Sequence, residues 1–98
     1  MKQQIRAFGF PWYTQENYTE ILKIMQDAHL LPRTYNEWLA KAIQKVQEIE
    51  SEGGITLKVY IDPQTFPAWC RQRGLHIDSK ARIEYANLIA YQTAGTTH

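Results

Sequence analysis

Cys70 is the only cysteine in the 98-residue chain, so it is the first candidate for nucleophilic chemistry. His29 or His76 would have to approach it to act as a base. Reactive cysteines lie in exposed, electropositive surroundings or at helix N-termini, which stabilise the thiolate. Cys70 instead follows Trp69 near the C-terminal end of a predicted helix, where the helix dipole opposes a negative charge. The pattern therefore predicts a core cysteine and no catalytic nucleophile.

The residue spacing indicates neither a metal site nor a phosphate-binding loop. Zinc sites use four Cys, His or carboxylate ligands in short paired spacings, and Cys70, His76 and Asp78 form no such pair. Phosphate loops lead from a strand into a helix N-terminus. The corresponding junction here is Asp62-Pro63, a carboxylate beside a residue without an amide hydrogen. We therefore expect no metal, no cofactor and no enzymatic activity.

Basic and hydroxyl side chains in the second half of the chain indicate an alternative function, DNA recognition. Residues 55–92 run strand, helix, glycine turn, helix, an order that resembles ribbon-helix-helix repressors, whose strands pair across a dimer and enter the major groove. The candidate contacts of this alternative are Thr56, Lys58, Tyr60, Arg71, Arg73, Lys80 and Arg82. The formal net charge is only +1, so the chain lacks the basic excess typical of nucleic-acid binding. A solvated polar face is the other explanation of these side chains.

Four helices are predicted to position these residues, at 15–29, 35–52, 64–73 and 79–92. Thr14 serves as the N-cap of the first helix, whose apolar residues recur at three- and four-residue spacing. Thr34 and Glu37 form a capping box at the start of the second helix. Gly53 ends that helix, because glycine adopts the left-handed C-terminal cap without steric cost.

One strand is predicted at 55–61, where apolar and polar residues alternate. Its backbone groups need partners. Residues 4–10 of the same chain and the same strand of a second chain are both open as partners. The sequence thus predicts a mainly helical α+β fold, with one domain over residues 1–98 and loosely ordered ends at 1–10 and 93–98.

Composition and segment lengths favour a folded cytoplasmic protein. Hydrophobic residues make up 44% of the chain and aromatic residues 12%, which is untypical of disordered sequences. No apolar stretch approaches the roughly 20 residues that span a bilayer. The charged N-terminus lacks the apolar run of a signal peptide, and a lone thiol is typical of a reducing compartment. We expect no membrane association.

Aromatic residues exceed what a small helical core requires, and aromatics are enriched in protein interfaces. The surplus rings are Trp12, Tyr13, Tyr35, Tyr60 and Tyr91. Trp12 and Tyr13 can equally form a hydrophobic staple against the first turns of the helix, and most of these rings then close the core. We therefore expect a non-enzymatic protein that acts through protein–protein contact, with a homodimer as one form. A dimeric DNA-binding regulator built on residues 55–92 is the alternative.

Short motifs over residues 12–86 resemble those of a family of small uncharacterised bacterial proteins of similar length. The motifs are Trp12-Tyr13-Thr14, Leu31-Pro32, Thr34-Tyr35, Glu37-Trp38, Val59, Ile61-Asp62, Trp69-Cys70, Gly74 and Ala81-Arg82. That family has no assigned activity. The resemblance therefore implies a bacterial cytosolic domain and supplies no functional residues.

Overall fold

The computed structural model describes residues 7–95, which form two strands and four α-helices. The strands are β1 (Ala7–Trp12) and β2 (Ile55–Tyr60). The α-helices are α1 (Tyr18–Ile24), α2 (Tyr35–Ser51), α3 (Phe66–Gln72) and α4 (Ser79–Gly95), and a 3-10 turn, Ala28–Leu30, lies between α1 and α2. The predicted α+β fold, mainly helical, is confirmed.

The strand predicted at 55–61 pairs within its own chain. β2 lies parallel to β1, with Ala7 opposite Ile55 and Trp12 opposite Tyr60. Parallel strands need a long crossover, and α1, the 3-10 turn and α2 supply it. The partner predicted at residues 4–10 is therefore found at 7–12. Residues 4–6 lie outside the described part of the chain.

Helices cover both faces of this sheet. On one face, the Trp12 ring lies 5.0 Å from the ring of Trp38 in α2. On the other face, Gly9 packs against α4 so closely that an added Cβ would lie 2.0 Å from the carbonyl oxygen of Ala86. Successive strand side chains point to opposite faces, so the even-numbered residues of both strands face α2 and the odd-numbered residues face α4.

The first predicted helix differs most from the structure. Instead of one helix over 15–29, α1 covers Tyr18–Ile24. The hydroxyl of Thr14 accepts a hydrogen bond from the Asn17 N–H in a preceding turn, so it does not cap the helix directly. Met25 is extended, and the Gln26 N–H donates to the carbonyl of Ile77, 2.7 Å away. A long-range hydrogen bond therefore ends the helix where local spacing would continue it.

The other helices begin and end close to the predicted positions. α2 has the capping box of Thr34 and Glu37, and Gly53 follows it with a φ of 92°. α3 starts at Phe66, because the Asp62 side chain accepts a hydrogen bond from the Gln64 N–H and holds a turn before the helix. α4 extends the predicted 79–92 helix to Gly95.

Candidate functional site

The lone cysteine lies in the core, as predicted. Cys70 is 0% exposed and belongs to the cluster that contains Phe66 and Trp38. Burial raises the pKa of its thiol, the charge of Asp78 raises it further, and Arg71 only partly opposes this. A thiol that is both protonated and inaccessible cannot act as a nucleophile.

No metal centre is found among residues 7–95, and the surface depression described there carries no catalytic pair. In that range no group of three or more His, Cys, Asp or Glu side chains is arranged to hold a metal ion. A surface depression of about 410 Å³ is lined by Leu22, Ala28, His29, Leu31 and Arg33. Its lining includes no carboxylate, thiol or hydroxyl, so it lacks an acid–nucleophile pair. No helix in this range is long and apolar enough to cross a membrane.

Arg82 and Asp27 form a buried ion pair. The two guanidinium Nη atoms lie 2.8 and 3.2 Å from the Asp27 carboxylate oxygens. The Ser79 N–H also donates to this carboxylate. Burial disfavours the Asp27 charge, but hydrogen bonds and the charge of Arg82 outweigh that effect and lower its pKa. This enclosed pair joins the start of α4 to the chain after α1.

Tyr13 lies beside this pair and is 2% exposed. Burial raises the pKa of its hydroxyl to about 12, although the Arg82 charge acts in the opposite direction. The hydroxyl is therefore neutral near pH 7 and is shielded from any substrate. We assign Tyr13, Asp27 and Arg82 to the structural core.

The residues predicted for DNA contact lie on β2, on α3 and its C-terminal end, and on α4, and one of them is buried. Arg82 is 6% exposed and paired with Asp27, so it is not a surface cation. Lys80 is exposed on the same helix, which covers the face of the sheet opposite α2. Arg71 on α3 and Arg73 just after that helix are both exposed, and the guanidinium of Arg73 lies 4.5 Å from the ring centre of Trp69.

The three strand residues of that prediction share one face, as expected, but α2 lies over it. The Thr56 hydroxyl donates to the carboxylate of Glu50 in α2, at 2.8 Å. The ammonium of Lys58 lies 4.4 Å from the ring centre of Trp12. Tyr60 is 56% exposed. Helices on both faces of the sheet differ from the open ribbon that a ribbon-helix-helix protein presents to DNA.

The outer edge of β2 carries backbone hydrogen-bonding groups that do not face β1. The Ile61 N–H donates to the Trp12 carbonyl, 3.0 Å away, so Ile61 faces β1. Backbone groups alternate in direction along a strand. Thr56, Lys58 and Tyr60 therefore direct their N–H and C=O groups away from β1. Within residues 7–95 no hydrogen bond reaches these six groups, which we call the open edge.

The outer edge of β1 is closed by contrast. The Gly9 N–H donates to the side-chain oxygen of Asn87 in α4, at 3.2 Å. Pro11 has no N–H at all, and proline is tolerated in a sheet where no ladder bond is lost. An incoming strand would find few donors on this side. The sheet therefore has one protected edge and one edge able to pair.

Apolar side chains flank the open edge on both faces. Tyr60 and Ile55 of β2 are 56% and 44% exposed, and Ile43 of α2 is also 44% exposed. Ile43 and Glu50 are seven residues apart and so lie along one flank of the helix. Because Glu50 bonds Thr56 of β2, this flank is the one beside the open edge. The hydrogen-bonding groups thus lie between exposed apolar side chains on the two faces of the sheet.

Comparisons with protein-family models, with curated proteins and with solved structures found no match to this chain. The resemblance described from the motifs therefore stays a prediction.

Sequence reasoning identified Thr56, Lys58 and Tyr60 for their side chains and missed the role of their backbone. The missing fact was the pairing partner, since only the position of β1 shows which groups of β2 face outward. Pro11 was the available signal, because a strand containing proline belongs at an edge.

Proposed function

We propose that this protein is a non-enzymatic interaction module that binds an extended segment of a protein partner along the open edge of β2. Adding a strand to an exposed sheet edge is a common mode of recognition, in which main-chain hydrogen bonds provide affinity and flanking side chains provide specificity. A cytoplasmic location is part of the proposal, supported by the unpaired Cys70.

The observation that carries the proposal is the contrast between the two edges. Asn87 and Pro11 satisfy or remove donors on β1, whereas six backbone groups of β2 have no partner within residues 7–95. Proteins ordinarily protect exposed edges against pairing with other chains. Protection of one edge and not the other supports a role for the open one.

Lys58 does not block this edge. Charged side chains, lysine above all, protect edge strands when they stand in the path of an incoming strand. The Lys58 ammonium instead lies over the Trp12 ring, on the side towards β1. The approach to the Lys58 backbone is thereby left open.

Peptide binding by two variants of Lys58 tests the proposal. A display library of random short peptides is the probe, and enriched peptides are synthesised for affinity measurements. Lys58→Ala and Lys58→Pro both remove the side chain, but only proline removes the outward N–H and obstructs the edge. We expect peptides to bind the Pro variant about tenfold more weakly than the Ala variant, in line with loss of one hydrogen bond plus steric obstruction.

Circular dichroism and urea unfolding check that both variants are folded. Proline is compatible with the strand here because the Lys58 N–H makes no bond to β1. Equal affinity of the two folded variants would contradict the proposal, and so would the failure of any peptide to enrich on protein dilute enough to be monomeric.

A further inference from the structure

We propose that the occupant of the open edge is a second copy of this chain, joined by antiparallel β2–β2 pairing around a two-fold axis at Leu57. This inference rests on the proposed function, since it names the partner of the same edge. The dimer would contain one four-stranded sheet in the order β1, β2, β2 of the second copy, β1 of the second copy. Such an interface is closed, because the same surface serves both copies.

Charge selects among the possible registers. The backbone groups of the open edge form hydrogen bonds only when outward-facing residues of the two copies lie opposite one another. A two-fold axis at Lys58 would set the two lysines directly opposite, and like charges in that position are destabilising. An axis at Val59 would set Lys58 opposite Tyr60 and Thr56 opposite Asp62, and would bring neither lysine to Glu50. An axis at Leu57 avoids the lysine pair and sets Lys58 opposite Thr56, the hydrogen-bond partner of Glu50.

The register centred on Leu57 brings opposite charges together. It sets Lys58 of each copy opposite Thr56 of the other, with side chains on the same face of the sheet. The Thr56 hydroxyl already holds the carboxylate of Glu50 at 2.8 Å. By leaving the Trp12 ring, the Lys58 ammonium reaches this carboxylate in the second copy. Two-fold symmetry forms the ion pair twice.

The same register covers the exposed apolar groups. Ile55, 44% exposed, lies opposite Val59 of the second copy on the α4 face. Tyr60, 56% exposed, lies opposite Gly54, where an aromatic ring covers a position without a side chain. Both exposed apolar residues of β2 that flank the open edge thus acquire an apolar neighbour or a glycine to cover.

Cysteine cross-linking tests the register. Residues at the axis form a non-hydrogen-bonded pair with Cα atoms about 4.5 Å apart, within the range that a disulfide accepts. We expect Leu57→Cys to form a disulfide-linked dimer under mild oxidation. Ile55→Cys and Lys58→Cys are the matched controls, and in this register neither pairs with itself. The native Cys70 is fully buried and stays in all three variants.

Charge exchange tests the partner. Lys58→Glu and Glu50→Lys each convert both ion pairs of a homodimer into like-charge contacts, and each is expected to weaken self-association by about tenfold or more. Mixed together, the two variants place opposite charges at both contacts. We expect light scattering to show monomers in each separate solution and dimers in the mixture, with the difference reduced by added salt.

A chain that remains monomeric at every concentration, with no Leu57→Cys cross-link, would overturn the homodimer. If peptides still bind at the open edge under those conditions, the proposed function survives and a different protein is the partner. If the Lys58→Cys variant cross-links instead, the two copies do pair along the open edge, but the proposed register is overturned. If the wild-type chain neither self-associates nor binds peptides, both proposals are overturned.

Discussion

The guanidinium of Arg82 and the carboxylate of Asp27, 55 residues apart in sequence, form a bidentate ion pair whose side chains are only 8% and 13% exposed. The pair fastens α4 to the chain that follows α1. Since α4 packs against β1 on one face of the sheet, the pair also holds α4 in position against that strand. Its removal should therefore affect the whole fold.

Arg82→Met should lower the free energy of unfolding by about 3–5 kcal/mol, because it leaves the Asp27 carboxylate buried without its counter-charge. Arg71→Met is the matched control, since Arg71 is exposed on α3 and should change stability by less than about 0.5 kcal/mol. Urea unfolding measures both. Equal costs for the two variants would show that the ion pair does not stabilise the fold.

Stability should fall in alkali through Tyr13. Burial raises the pKa of its hydroxyl to about 12 in the folded protein, against 10.0 for an ordinary tyrosine. The stabilisation is complete below pH 10 and is lost as the pH rises from 10 to 12, because the unfolded chain ionises first. Two pKa units correspond to roughly 2.7 kcal/mol.

Comparison of the wild type with Tyr13→Phe isolates this effect from the other groups that titrate in alkali. Urea unfolding at pH 9 and above should show a steeper loss of stability for the wild type than for the variant. Parallel pH profiles would mean that the Tyr13 hydroxyl ionises in the folded chain as readily as in the unfolded one.

Gly9→Ala should destabilise the protein by about 3 kcal/mol or more, since the added methyl group would overlap the Ala86 backbone and force β1 and α4 apart. Gly53→Ala is a useful comparison because a Cβ there meets nothing within 4 Å. Its cost comes only from the left-handed φ of 92° and should be near 1 kcal/mol. Thermal and urea unfolding distinguish the two. The packing argument fails if Gly9→Ala is the milder change.

Features encoded by neighbouring residues could be predicted from the sequence. The capping box of Thr34 and Glu37 and the alternation along β2 both act within a few residues, and both are confirmed. The core position of Cys70 followed from its place near Trp69 on one helix. Local chemistry was sufficient in each case.

Features that depend on distant contacts could not be predicted. Arg82 looked like a surface cation because its partner, Asp27, lies 55 residues away and within a segment predicted to be helical. The open edge could not be predicted for the same reason. β2 could be recognised from its own residues, but which of its backbone groups lack a partner depends on the position of β1, 48 residues earlier in the register.

Residue-resolved amide hydrogen exchange over residues 55–61 is the most direct test of the central claim, that β2 has an unpaired edge at which a partner strand binds. In dilute protein the outward amides of Thr56, Lys58 and Tyr60 should exchange rapidly, while those of Leu57, Val59 and Ile61 are protected by β1. Higher protein concentration, or an enriched peptide, should slow the outward set alone. Strong protection of the outward amides at the lowest concentration would contradict the claim, as would unchanged rapid exchange once dimer or peptide complex has formed.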